Sequence, residues 1–158
     1  MRKRGMTLIE IIVVIGLLIS LSAVMARGIA AKREIANQEK IKLAYKSVPI
    51  SLANAVTTVA NQKEKARSTV YSDLKNYRNY CDETIKEFSK IIGAKNTGTG
   101  RGKDGNRSYI WFKFNFKNSN LILYLYLYSE GTFIQYDLYE KDSPKADESN
   151  SFSLSGLL

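Results

Sequence analysis

The chain has no histidine, a single cysteine and only two prolines in 158 residues. Without histidine, Ser-His-Asp and Cys-His nucleophile systems are closed, and so is every His-based metal site. Cys81 alone can form neither an internal disulfide nor a multi-thiolate zinc site, and it leaves the redox compartment unreadable. Most of the familiar routes to enzymatic chemistry are therefore closed, and the expectation is no catalytic residue, metal or cofactor. Acidic residues are also in deficit: 15 Asp and Glu stand against 24 Lys and Arg, a formal charge of +9. Arg2, Lys3 and Arg4 supply three of those charges at the start, leaving +6 on the remainder. That balance suits an acidic partner, a nucleic acid or an anionic surface. It is also ordinary for a solvated face, which is the plainer reading.

Charge is scarcest between Met6 and Ala26, where 21 residues carry only Glu10. A helix of that length spans roughly 30 Å, one hydrocarbon core. Three readings compete for it. A cleaved secretory signal peptide fits the basic start and the small-residue site Val24-Met25-Ala26. Glu10 and the length of the run count against it. A plain membrane anchor fits the length and leaves the acid unexplained, since a lone carboxylate is costly in lipid. Arg27, Lys32 and Arg33 nearly balance the leading cations, so charge bias sets no orientation. The third reading is a hydrophobic helix destined for a protein assembly.

That third reading accounts for the acid. The residues run Arg2-Lys3-Arg4-Gly5, then Met6-Thr7-Leu8-Ile9-Glu10, then an apolar stretch from Ile11. Over roughly the first 30 residues this resembles the type IV pilin and pseudopilin family. The family signature is a short basic leader ending in Gly, then a hydrophobic residue, Thr, Leu, Ile, Glu and about twenty apolar residues. Met6 stands where Phe is usual. The proline usual near the end of the stretch is absent, with Arg27 in that neighbourhood. The resemblance implies that a prepilin peptidase cuts between Gly5 and Met6 and methylates the new amine of Met6. It also implies that Glu10 pairs with that amine on a neighbouring subunit and acts as an alignment key. A buried ion pair is weak evidence for stability but is effective at setting register. Other implied partners are further pilin subunits, an assembly platform protein, and membrane lipid before assembly. The plainer reading of Glu10 is a carboxylate reaching the headgroup interface. Gly16 reads as a small residue permitting close helix packing.

Beyond this stretch, residues 27–63 read as an amphipathic continuation of the helix, with Ile41, Tyr45, Val48, Leu52, Val56 and Val59 on one side. Pro49 is expected to bend it. A second helical zone is expected from about Ser68 to Ile92, on the stripe Val70, Leu74, Tyr77, Cys81, Ile85, Phe88 and Ile92. Cys81 reads there as a small buried hydrophobe. The stretch Gly93 to Asn106 contains Gly100-x-Gly102-x-x-Gly105, formally a dinucleotide fingerprint. It fails the context test, because a helix precedes it and a strand follows. It reads as a mobile surface loop. Its cations Lys95, Arg101 and Lys103, with Arg107, are candidate anion contacts, and nucleic acid is a weakly signalled partner because the loop has no aromatic to stack a base.

Period-two alternation then predicts three strands: Tyr109 to Lys117, Leu121 to Tyr128 and Thr132 to Tyr139, forming an antiparallel meander. The middle one carries no charge and suits a central place, with its leucines on the helical side and its tyrosines outward. The polar run from Glu140 reads as loop or tail. The segment Phe152 to Leu158 reads either as a short edge strand or as loose.

The expected fold is α+β and pilin-like, with a basic leader (1–5), a membrane or filament-core helix (6–26), its amphipathic continuation (27–63) and a head (64–158). The function implied by the resemblance is a structural filament subunit. It would wait as a single-pass protein in the inner membrane and then enter a surface or periplasmic filament. A pseudopilin of type II secretion or DNA uptake, a tip subunit binding DNA or surfaces, and a secreted protein with an unusual signal peptide are the alternatives.

Overall fold

A computed structural model describes residues 7–156. The proposed cleavage site, Gly5 and Met6, lies outside them. The chain forms two compact units, one up to Glu39 and one from Lys40 onward. Helix α1 (Leu8–Lys46) is continuous across the boundary. Within the first unit its apolar side chains are exposed, from Leu8 and Ile9 to Val24 and Met25. Its most apolar window has a mean hydropathy of 2.7 and no buried residue, so the helix is long and apolar enough to cross a membrane. The hydroxyls of Ser20 and Ser22 donate to the carbonyls of Gly16 and Leu18, at 3.0 and 2.8 Å. These bonds satisfy the two polar groups inside the helix itself, which hydrocarbon demands.

The second unit is α+β. The last turns of α1 enter its core through Ile41 and Tyr45. The predicted single helix over 27–63 is interrupted at Ser47, and α2 (Val48–Lys63) starts afresh with Pro49 in its first turn. A proline there costs no hydrogen bond, because first-turn N–H groups have no intrahelical acceptor. The second predicted helical zone is likewise two helices, α3 (Arg67–Lys75) and α4 (Cys81–Ile92). Cys81 is buried as expected, and burial pushes its thiol up to about 12. Tyr77 departs from the apolar stripe. It is 42% exposed and sits in the break between the two helices.

Five antiparallel strands follow in simple meander order: β1 (Ala94–Asp104), β2 (Arg107–Phe116), β3 (Leu121–Tyr128), β4 (Phe133–Glu140) and β5 (Glu148–Ser153). The uncharged β3 is central, as expected. Leu123, Leu125 and Leu127 pair with Phe114, Phe112 and Ile110 on one side and with Leu138, Tyr136 and Ile134 on the other. All nine are buried in the same cluster as Leu52, Val56, Val70, Leu74, Ile85 and Phe88 of the helices. Phe88 meets Phe114 edge-on at 5.1 Å, and Tyr45 lies 4.9 Å from Tyr136. Fully burying a leucine or phenylalanine contributes roughly 1.5–3 kcal/mol, so this layer dominates the unit's stability.

Two expectations are corrected here. The glycine-rich stretch is not a loop; it is strand β1, paired with β2 from Ala94↔Phe116 to Asp104↔Arg107 with an irregularity near Thr97. The polar tail is not loose throughout, because β5 pairs with β4 from Glu148 to Ser153. Ser149 Oγ donates to the buried Asp137 carboxylate at 2.6 Å, and Gln135 Nε2 donates to the same group at 3.1 Å. Phe152 packs edge-on against Tyr136 at 5.6 Å, and Leu154 closes the core just beyond.

Candidate functional site: a basic groove and a capped helix start

The glycines of β1 are explained by what crosses them. A Cβ on Gly100 would lie 2.6 Å from the Trp111 ring, and one on Gly102 would lie 2.5 Å from the Tyr109 ring. Each ring lies over the glycine directly opposite it. Cross-strand aromatics covering glycines are a known device for pinning strand register. The same outer face continues with Tyr124, Tyr126 and Tyr128, whose rings contact one another and Tyr109, Trp111, Tyr139 and Phe133 at centroid distances from 5.3 to 6.1 Å. The outward tyrosines are thus mutually packed. A shallow cleft of about 530 Å³ at one end of this face is lined by Lys113, Tyr124, Tyr139 and Lys141.

Strand formation sorts the four cations read from the sequence. Residues directly opposite in an antiparallel pair share a face. Arg101 and Lys103 stand opposite Ile110 and Ser108, on the helix-facing side, beyond the end of α3. There they line a cleft of about 730 Å³ together with Lys75, Tyr77 and Arg78. Lys95 stands opposite Asn115, on the outer-face side of the strand, and only borders a neighbouring cleft of about 430 Å³ that also has Asp82 and Lys86. Arg107 belongs to neither. Its guanidinium bonds Asp104 at 3.1 Å and lies 4.9 Å from the Tyr128 ring centre, so it serves the outer face. The expected arm of four mobile cations is replaced by a fixed arrangement of different membership.

Lys75 and Arg78 were not distinguishable in the sequence from ordinary helix decoration. The signal that could have found them is the run Lys75-Asn76-Tyr77-Arg78-Asn79, whose asparagines favour turns. The break has a defined geometry. Tyr77 adopts a left-handed φ of 54°, while its N–H bonds Leu74 O at 3.3 Å and the Arg78 N–H bonds Asp73 O at 2.8 Å. This is a Schellman closure with tyrosine where glycine is usual. It holds the Tyr77 ring 6.4 Å from Phe112, nearly parallel, with much of it exposed. Lys75 is engaged: its ammonium donates to Gly131 O at 2.8 Å. Among the described residues, Arg78, Arg101 and Lys103 form no ion pair.

At the other end of the chain, Glu10 has a local partner. The Thr7 N–H donates to Glu10 Oε2, and the Glu10 N–H donates to Thr7 Oγ1, both at 3.2 Å. This is a capping box, with two otherwise unpaired helix-start donors satisfied reciprocally. It also places the carboxylate at the positive end of the helix dipole. Both effects reduce the cost of an acid at the edge of an apolar run. The sequence reading missed the cap, although the spacing Thr7-x-x-Glu10 is its signature. No family model, curated protein or solved structure matches the chain.

Proposed function

We propose that this chain is a structural subunit of a type IV pilus or a related pseudopilus, cut after Gly5, methylated at Met6 and assembled through its N-terminal helix. One observation carries the reading: the sequence Gly5-Met6-Thr7-Leu8-Ile9-Glu10 leads into the run of helix α1, whose apolar side chains are exposed on all sides through the first unit. Apolar surface of that extent needs a cover. In the inner membrane the cover is lipid. In a filament it is the same helix of neighbouring subunits. An α+β unit following such a helix is compatible with a subunit whose head faces outward. Partners on this reading are other pilin subunits, the prepilin peptidase and an assembly platform protein. Minor pseudopilins of secretion or DNA-uptake machines share the N-terminal features, and copy number per filament separates the two.

The capping box sharpens the role of Glu10. Its carboxylate can accept the Thr7 bond and still offer lone pairs to an incoming amine. Glutamine preserves the cap and removes the charge. Glu10→Gln should therefore be cleaved normally yet enter filaments as poorly as Glu10→Ala, if charge pairing is the essential function. Gly5 replaced by a bulky residue should leave uncut precursor. The decisive measurement is mass spectrometry of the mature N-terminus from a membrane fraction. A methylated chain beginning at Met6 supports assembly. A chain beginning at Arg27 establishes secretion instead, and an intact Met1 refutes processing.

A further inference from the structure

We propose that the groove between β1 and the end of the α3–α4 helical wall binds a single strand of nucleic acid, with phosphates on its cations and a base on Tyr77. The proposal stands on the second unit alone and is independent of filament assembly.

The charge is arranged on both walls. Lys75 and Arg78 come from the helical side, Arg101 and Lys103 from the strand. Arg78, Arg101 and Lys103 have no carboxylate bonded to them among the described residues, and no acid lines this cleft. The adjoining cleft carries Lys86 and one acid, Asp82, with Lys95 only at its border, since Lys95 stands opposite Asn115 on the outer-face side of β1. Like charges gathered around one cleft repel one another, and a polyanion laid between them relieves that repulsion. The backbone beneath Arg101 and Lys103 is fixed, because β1 is paired with β2 along nearly its whole length.

Shape selects a chain over a small anion. The two clefts, of about 730 and 430 Å³, share Tyr77, so the open surface is elongated, with its cations at one end and the tyrosine along its course. A groove that tracks a backbone, with an aromatic platform along it, is how sequence-tolerant single-strand binding works. Tyr77 fits the platform role. It is 42% exposed, it is backed by Phe112, and its backbone is held left-handed by two hydrogen bonds. A large exposed ring on a strained residue that favours glycine is costly for stability alone. The stacking requirement selects a single strand, since bases in a duplex do not offer a free face.

The test uses the full chain in neutral detergent and a fluorescein-labelled oligothymidylate, read by anisotropy across a salt series. Three phosphate contacts at roughly −0.7 each predict a log–log salt slope of about −2. The pair Arg78→Ser and Arg101→Ser should bring the slope to about −0.7 and weaken binding roughly tenfold or more. The pair Lys113→Ser and Lys141→Ser, an equal loss of charge at the outer cleft, should leave both nearly unchanged. Tyr77→Ala should weaken binding roughly fivefold or more, and Tyr77→Phe should restore it. Trp111 emission matching the parent confirms that each variant is folded. The proposal is overturned if the parent does not bind, if both charge pairs lose equally, or if Tyr77→Ala binds like the parent. It is also overturned if a duplex binds as tightly, or if inorganic polyphosphate or anionic-lipid vesicles compete as well as unlabelled oligothymidylate.

Discussion

Replacing Gly100 by alanine tests the reading of the glycine-rich stretch as a strand built around an aromatic ring. The new Cβ would stand 2.6 Å from Trp111 Cε2 and Cζ2, and 2.8 Å from Nε1. Carbon atoms in good contact sit about 3.5–4.0 Å apart, so the indole must retreat by about an ångström. Its retreat runs along the outer face, where its ring also contacts Tyr124, 6.1 Å away between ring centres. Overpacking of this kind costs about 1–3 kcal/mol. Against it stands the reduced chain entropy of alanine in the unfolded state, worth about 0.4–1 kcal/mol. The net expectation is a loss of about 0.5–2 kcal/mol. At about 2–4 °C per kcal/mol for a domain of this size, the melting midpoint should fall by a few degrees. Trp111 is the only tryptophan, so its emission during denaturant unfolding reports the site directly. The second arm is a double-mutant cycle. With Trp111→Ser in place, Gly100→Ala should become stabilising by about 0.5 kcal/mol, followed by tyrosine near-ultraviolet circular dichroism. A mobile loop predicts no coupling between the two positions. Equal effects of Gly100→Ala in both backgrounds would therefore refute the ring-accommodation argument.

Other predictions follow from single features. Glu64 closes α2 in a left-handed conformation, φ 53°, with the Lys65 N–H bonded to Ala60 O at 2.9 Å. Glycine is the natural residue there, so Glu64→Gly should stabilise the second unit by up to about 1 kcal/mol in chemical denaturation. A destabilised variant would contradict the reading. Alkaline pH should also weaken the fold. Burial raises the Cys81 thiol from 9.0 to about 12, and Tyr71 from 10.0 to about 12. A folded-state pKa above the unfolded one gives stability that is fully present below the unfolded value and is lost as pH rises towards the folded one. Stability should thus be flat below about pH 9 and fall by a few kcal/mol between pH 9 and 12, at about 1.4 kcal/mol per pKa unit displaced. Cys81→Ala should be less stable at neutral pH and show a shallower alkaline fall; an unchanged alkaline limb would exclude Cys81 as a contributor.

Much of this was legible in the residues because the patterns are local. The alternation of Ile110, Phe112, Phe114 and Phe116, and of the β3 leucines, is a period-two signal that survives any tertiary context. The apolar length from Met6 to Ala26 and the buried stripe around Cys81 are equally local. What misled was composition read without a partner strand. Five glycines between Gly93 and Gly105 look like a loop until Trp111 and Tyr109 are seen lying across two of them. The β5 segment has no apolar alternation, and its side-chain anchors are one hydrogen bond, Ser149 to Asp137, and Phe152 on Tyr136, both to the neighbouring strand.

By itself, the order of residues determined an apolar N-terminal helix with one acid at its edge, a helical middle and a three-stranded meander, because each is marked by a pattern only a few residues long. Only the tertiary structure decided which cations keep company. Strand pairing turned Arg101 and Lys103 towards Lys75 and Arg78, more than twenty positions away, and sent Arg107 to the opposite face. A charge in a sequence carries no direction until the backbone beneath it has a face.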